Sequence, residues 1–148
     1  MKKFLIIATT LFFALATTTS ASAAEVKISP QFKVSKKNPI IKIKASGLPE
    51  GNGIYISQCM APKVTGTAPT ACNPSKASKL WVSDRAEDQQ MGAKASTSKL
   101  SIKVDKYFKE GDCVHTTCVI YVTNDHNAPD DRSSDKAIKF KFGGFLPF

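Results

Sequence analysis

Apolar and polar side chains alternate along most of this chain, and no helical period is sustained. Val26-Lys27-Ile28 and Phe32-Lys33-Val34 alternate on either side of Pro30, which predicts an edge strand broken by a proline. Ile41-Lys42-Ile43-Lys44-Ala45 alternates cleanly and stops at Gly47. Ile54 to Cys59 follows the turn residues Pro49 to Gly53, and Leu80-Trp81-Val82 follows a proline-rich loop. Leu100 to Val104, Val119 to Thr123 and Ala137 to Phe142 complete the set. Seven or eight short strands at regular spacing, with turn signals between them, predict an all-β sandwich. The alternation also assigns faces: Lys42, Lys44, Lys139 and Lys141 should meet water, and Ile41, Ile43, Ile138, Phe140 and Phe142 the core. Segment 84–95 lacks the pattern and reads as an exposed loop or one short helical turn.

The ends do not fit the strand pattern. Lys2 and Lys3 precede an apolar run from Phe4 to Ala16, and Ala21-Ser22-Ala23 supplies the small residues of a cleavage site before Ala24. Residues 1–23 therefore read as a signal peptide, and the apolar run is too short for a membrane span. The expected location is secreted, in the extracellular space or the cell envelope. Residues 24–142 make one domain, followed by a short apolar tail, 143–148, that is free either to fold back or to meet a partner. The formal net charge of the whole chain is +9, and only Arg85 and Arg132 are arginines. Because the lysines are dispersed, they read as solubilising groups that also guard strand edges. Contacts with anionic surfaces or nucleic acid are expected to be weak and screened by salt. The expected state is a monomer.

Four cysteines add a second constraint. Cys59 and Cys72 bracket twelve residues, and Cys113 and Cys118 bracket four. In an exported chain such cysteines read as disulfides, and proximity favours Cys59–Cys72 with Cys113–Cys118 among the three possible pairings. Closing loops of these lengths stabilises the fold by roughly 3 and 2 kcal/mol in the chain-entropy picture.

Gly47-Leu48, Gly53, Tyr55, Gln58-Cys59 and Ala71-Cys72-Asn73-Pro74 occur in that order, followed by Ala95-Ser96-Thr97-Ser98, Asp112-Cys113 and Thr116-Thr117-Cys118. In order and spacing this resembles the neocarzinostatin family of exported actinobacterial apoproteins, from about Val26 to Phe142. The resemblance implies a seven-stranded immunoglobulin-like sandwich with two local disulfides. It also implies a non-enzymatic carrier that holds an aromatic enediyne in a cleft and delivers it to DNA. The chain departs from the family's cleft: Ala61 and Ala77 stand where the family has aromatic residues. Val119 takes the position of a glutamine, and Tyr121 that of a glycine that leaves room for the ligand. The long hairpin before the third cysteine shrinks to Tyr107-Phe108-Lys109-Glu110-Gly111, while Thr123 replaces a serine conservatively. Carried over by position, the ligand-binding candidates are Met60, Tyr107, Phe108, Tyr121 and Thr123.

Other chemistry is poorly supported. His115 and His126 lack the spacing of a metal site, and disulfide-bonded cysteines are not thiolate ligands. The stretch Thr123 to Asp131 is rich in oxygen donors but lacks the glycine and glutamate of a calcium loop, so it reads as a turn-rich surface loop. No G-x-S-x-G and no phosphate-cradling glycine loop is present. Trp81 is as well placed for core packing as for a binding face. The reading is a non-enzymatic apoprotein that needs no cofactor and binds a small apolar or aromatic ligand non-covalently, with an antibacterial role. The alternative is an envelope or extracellular interaction module on the same fold.

Overall fold

A computed structural model describes residues 23–144 of the chain. The expected signal segment up to Ser22 and the apolar tail from Phe145 lie outside the described residues. The strands are β1 (Glu25–Ser29), β2 (Ile40–Ser46), β3 (Ile54–Met60), β4 (Lys79–Val82), β5 (Leu100–Lys103), β6 (Tyr107–Phe108), β7 (Gly111–Asp112), β8 (Cys118–Asn124) and β9 (Lys136–Phe140). One 3-10 turn (Lys76–Ser78) leads into β4, and segment 84–95 contains the short helix α1 (Ala86–Gln90).

Seven of these strands form two antiparallel sheets, a three-stranded one in the order β1-β2-β5 and a four-stranded one in the order β4-β3-β8-β9. Strands β6 and β7 make a separate two-stranded ribbon. Val26, Ile41, Ile43, Leu100 and Ile102 from the first sheet pack on Ile54, Ile56, Val82, Ile120, Val122 and Phe140 from the second. The lysines assigned to water by alternation, Lys42, Lys44, Lys139 and Lys141, are exposed, and their apolar neighbours point into this core. Each fully buried isoleucine side chain contributes roughly 2–3 kcal/mol of transfer free energy. The sandwich expected from the period-two pattern is the fold of the protein.

The first strand departs from the sequence reading in one respect. Pro30 does break it, but the two halves join different sheets. Val26 to Ser29 pairs with β2. Beyond the proline, Val34 lies parallel to Phe142, accepting from Gly143 N at 2.9 Å and donating to the Lys141 carbonyl at 2.9 Å. The segment thus extends one sheet and then pairs with the residues that follow β9 of the other.

Both disulfides pair as proximity favoured, Cys59 with Cys72 and Cys113 with Cys118. They flank a buried polar network that occupies a core position of β3. Gln58 is 0 % exposed, and its Oε1 accepts from Asn73 Nδ2 and Asp105 N, each at 2.8 Å. Its Nε2 donates to the Asp105 carbonyl at 2.6 Å and to Cys113 Sγ at 3.1 Å. Asn73 Nδ2 also reaches Ser78 Oγ and Asp105 Oδ2. Gln58 and Asn73 belong to the motif residues that carried the family resemblance, and their role here is structural. They satisfy each other where a lone buried amide would cost several kcal/mol.

Candidate functional site

The outward face of the four-stranded sheet is built from three rungs set by strand register. One rung is Trp81, Tyr55 and Thr123; the next is Lys79, Ser57, Tyr121 and Ala137; the third is Cys59, Val119 and Lys139. Alternation puts these side chains opposite Ile54, Ile56 and Ile120, which fill the core. At the β4 side of this face lies an open depression of about 470 Å³, lined by Tyr55, Ser57, Cys72, Lys76, Lys79 and Trp81, with Ile56 and Leu80 in its wall. Its size falls in the roughly 300–1,000 Å³ range of small-molecule sites.

The structure divides the five residues carried over from the family. Tyr121 and Thr123 share the outward face. Met60 pairs with Cys118 and packs against the inter-sheet core, because its parity is that of Ile54 and Ile56. Phe108 also packs on the core, its ring lying over Gly111, where an added Cβ would come within 2.1 Å of it. Tyr107, 58 % exposed on the β6–β7 ribbon, faces solvent. Of the five, Tyr121 and Thr123 thus share one face, Met60 and Phe108 lie against the core, and Tyr107 stands on the ribbon.

Tyr121 fills the middle of the face. It is 7 % exposed, packed against Cys59, Val119 and Ala61. Its hydroxyl donates to Asp135 Oδ2 at 2.6 Å and accepts from the Arg132 guanidinium at 2.9 Å, and Arg132 and Asp135 are themselves ion-paired. Burial, reinforced by the Asp135 carboxylate, pushes the phenol up to about 12. The ring stays neutral and clamped at physiological pH. Tyr121→Gly should therefore cost about 3–5 kcal/mol of stability and open a hollow on the sheet. Urea unfolding measures the first effect, and binding of bulky aromatic probes to the folded variant measures the second. A variant as stable as wild type would show that the clamp contributes nothing.

Beside this sealed centre stands an aromatic group that remains open. Tyr55, 37 % exposed, has its ring centroid 6.0 Å from that of Trp81 and 6.1 Å from that of His126. Trp81 meets His126 edge-on at 5.1 Å. The Tyr55 hydroxyl lies 2.6 Å from His126 Nδ1. Burial, together with the negative charges of Asp125 and Asp88, raises the phenol above its ordinary value, so the hydroxyl keeps its proton.

Asp125 anchors this group from behind and is only 1 % exposed. Its Oδ2 accepts from Gly53 N and Trp81 Nε1, both at 2.9 Å, and from Asn127 Nδ2 at 3.2 Å; its Oδ1 accepts from Asn127 N at 2.9 Å. Burial alone would raise this carboxyl, but the donors from Trp81, Asn127 and Gly53 outweigh it and hold the group below its ordinary value. Gly53 is required here, since a Cβ would meet the Val82 carbonyl at 2.4 Å and Asp125 Oδ2 at 2.9 Å. Asp88 of α1 is likewise buried, accepting from Ser83 Oγ at 2.6 Å. The loop that read as surface turn is thus partly a buried support for Trp81.

No protein-family model and no curated sequence matches the chain. Among solved structures, macromomycin matches with a TM-score of 0.52 over 82 % of this chain and 100 % of that one, at 18 % identity. The chain shares its fold with macromomycin. The sandwich, its seven principal strands and its two local disulfides are those the resemblance to the neocarzinostatin family implied. Macromomycin stands as a likeness of fold, and the site rests on the side chains of this chain. Tyr55, His126, Lys76 and Lys79 were not among the sequence candidates. The signal available for Tyr55 was its place among polar and apolar residues of opposite parity in β3.

Proposed function

We propose that this protein is a secreted, non-enzymatic binder of a small planar aromatic molecule, held in the depression beside Tyr55 and Trp81. The observation that carries this reading is an open hollow of about 470 Å³ walled by two aromatic rings set 6.0 Å apart. Offset and tilted rings at such separations accept a further ring with about 0.5–1.5 kcal/mol beyond the area buried. The groups that face the hollow, a phenol, an indole, a hydroxyl and two lysine ammonium groups, bind and orient. Tyr121 is sealed, so the ligand rests next to it and not on it. On this reading the antibacterial role implied by the family resemblance belongs to the small molecule, and the protein shields and carries it.

Trp81 is the single tryptophan of the chain, so its fluorescence reports the site directly. Titration with a soluble anthracene derivative should give saturable quenching. Tyr55→Ala should weaken that binding about tenfold or more, by removing one wall. Phe32→Ala, an exposed aromatic on another segment, should leave it unchanged. Absence of saturable quenching would overturn the carrier reading in favour of an interaction module without a small ligand. Quenching that is indifferent to Tyr55 would move the site elsewhere.

A further inference from the structure

We propose that the ligand of this depression is an aromatic anion, a flat ring system bearing a carboxylate, sulfonate or phosphate group. The proposal rests on the preceding reading that the depression binds an aromatic molecule, and it adds the sign and position of the ligand's charge.

Two cations serve one end of the hollow. Lys76 opens the 3-10 turn and Lys79 follows it, with Lys79 N donating to the Lys76 carbonyl and closing the turn. Both lysines line the depression. Among the described residues neither has an acidic partner; the ion pairs formed there use Lys27, Arg85, His115 and Arg132.

No carboxylate lines the hollow. Three acids behind its walls are hydrogen-bonded within the protein: Asp125 to Gly53, Trp81 and Asn127, Asp88 to Ser83 and Asn127, with the Arg85 guanidinium 4.0 Å away, and Asp105 to Asn73 Nδ2 at 2.8 Å. Asp125 and Asp88 back the Tyr55–Trp81 rung, while Lys79 stands on the next rung with Lys76 beside it in the lining. The site is therefore polar along its length. Lys79 and Trp81 are two residues apart on β4, or about 7 Å along the strand. That spacing suits a ring stacked against Trp81 and Tyr55 whose anionic substituent reaches the lysines. Ser57 lies directly across from Lys79, its hydroxyl donating to the disulfide sulfur of Cys59 at 3.3 Å.

The test uses three probes with one tricyclic core on the mature, disulfide-bonded protein: anthracene-9-carboxylate, its neutral carboxamide, and 9-(aminomethyl)anthracene. At low salt the carboxylate should bind roughly tenfold more tightly than the carboxamide, and the ammonium probe most weakly. The double variant Lys76→Gln/Lys79→Gln should erase the difference between carboxylate and carboxamide. Equal binding of carboxylate and carboxamide by wild type would overturn the anion proposal and leave the aromatic site standing. A carboxylate preference that persists in the double variant would also overturn it, because the basic chain as a whole would then be its source. Failure of all three probes to bind would remove the site itself.

Discussion

Gln58→Ala is expected to destabilise the protein by about 3–5 kcal/mol, among the largest effects of any single substitution here. The change removes a fully buried side chain and with it hydrogen bonds to Asn73, Asp105 and Cys113. Asp105 N and the Asp105 carbonyl lose their partner inside the protein, and the remaining space is too enclosed to be filled by neighbours. Since a small domain is stable by only about 5–15 kcal/mol, such a loss lowers the melting temperature by many degrees. Urea unfolding at constant m value measures it. Gln58→Met, which restores most of the volume but none of the polar contacts, should recover only the cavity part. A loss below about 1 kcal/mol in the alanine variant would mean that the network merely occupies the core without stabilising it.

Asp125→Asn should be nearly as damaging and should also alter the response to acid. Four donor groups from Gly53, Trp81 and Asn127 converge on one carboxylate. Replacing one oxygen by an amide nitrogen sets N–H against N–H, at about 2–4 kcal/mol. The carboxyl is held below its ordinary value of 3.8 in the folded state. A depressed pKa means that this contribution is fully present above pH 3.8 and is lost as the pH falls through the lower, folded value. The difference in unfolding free energy between wild type and variant should therefore be larger near pH 6 than near pH 3. Trp81 emission should shift in the variant as well, because its indole N–H loses its acceptor. A difference that stays constant across that range would show that Asp125 acts through packing and not through its charge.

The strands were legible because one face of each sheet is buried, so a period of two is written into Ile41-Lys42-Ile43-Lys44 and Ile138-Lys139-Phe140-Lys141. The disulfides were legible because each pair is close in sequence. The site was not, since it depends on register. Trp81 and Tyr55 are 26 positions apart and become neighbours only because β3 and β4 align at that rung. Met60 was readable in principle, because it shares parity with Ile54 and Ile56 and so belongs to the core side of β3. Asp125 was not readable: aspartate in a run of turn residues gives no sign that Gly53 and Trp81, from distant segments, will enclose it. The departure at Tyr121 was visible in the sequence, whereas its hydroxyl clamp to Arg132 and Asp135 required the fold.

The first strand, shared between the two sheets on either side of Pro30, has a mechanical consequence. The two layers of the sandwich are stitched by one continuous segment, hydrogen-bonded to β2 at one end and to Lys141 and Gly143, just past β9, at the other. Sliding or parting the layers at this end would have to break one of these two sets of main-chain bonds. The sheet bearing Tyr55, Ser57 and Trp81 on its outward face is thus joined to its partner by main-chain bonds as well as by the packed core.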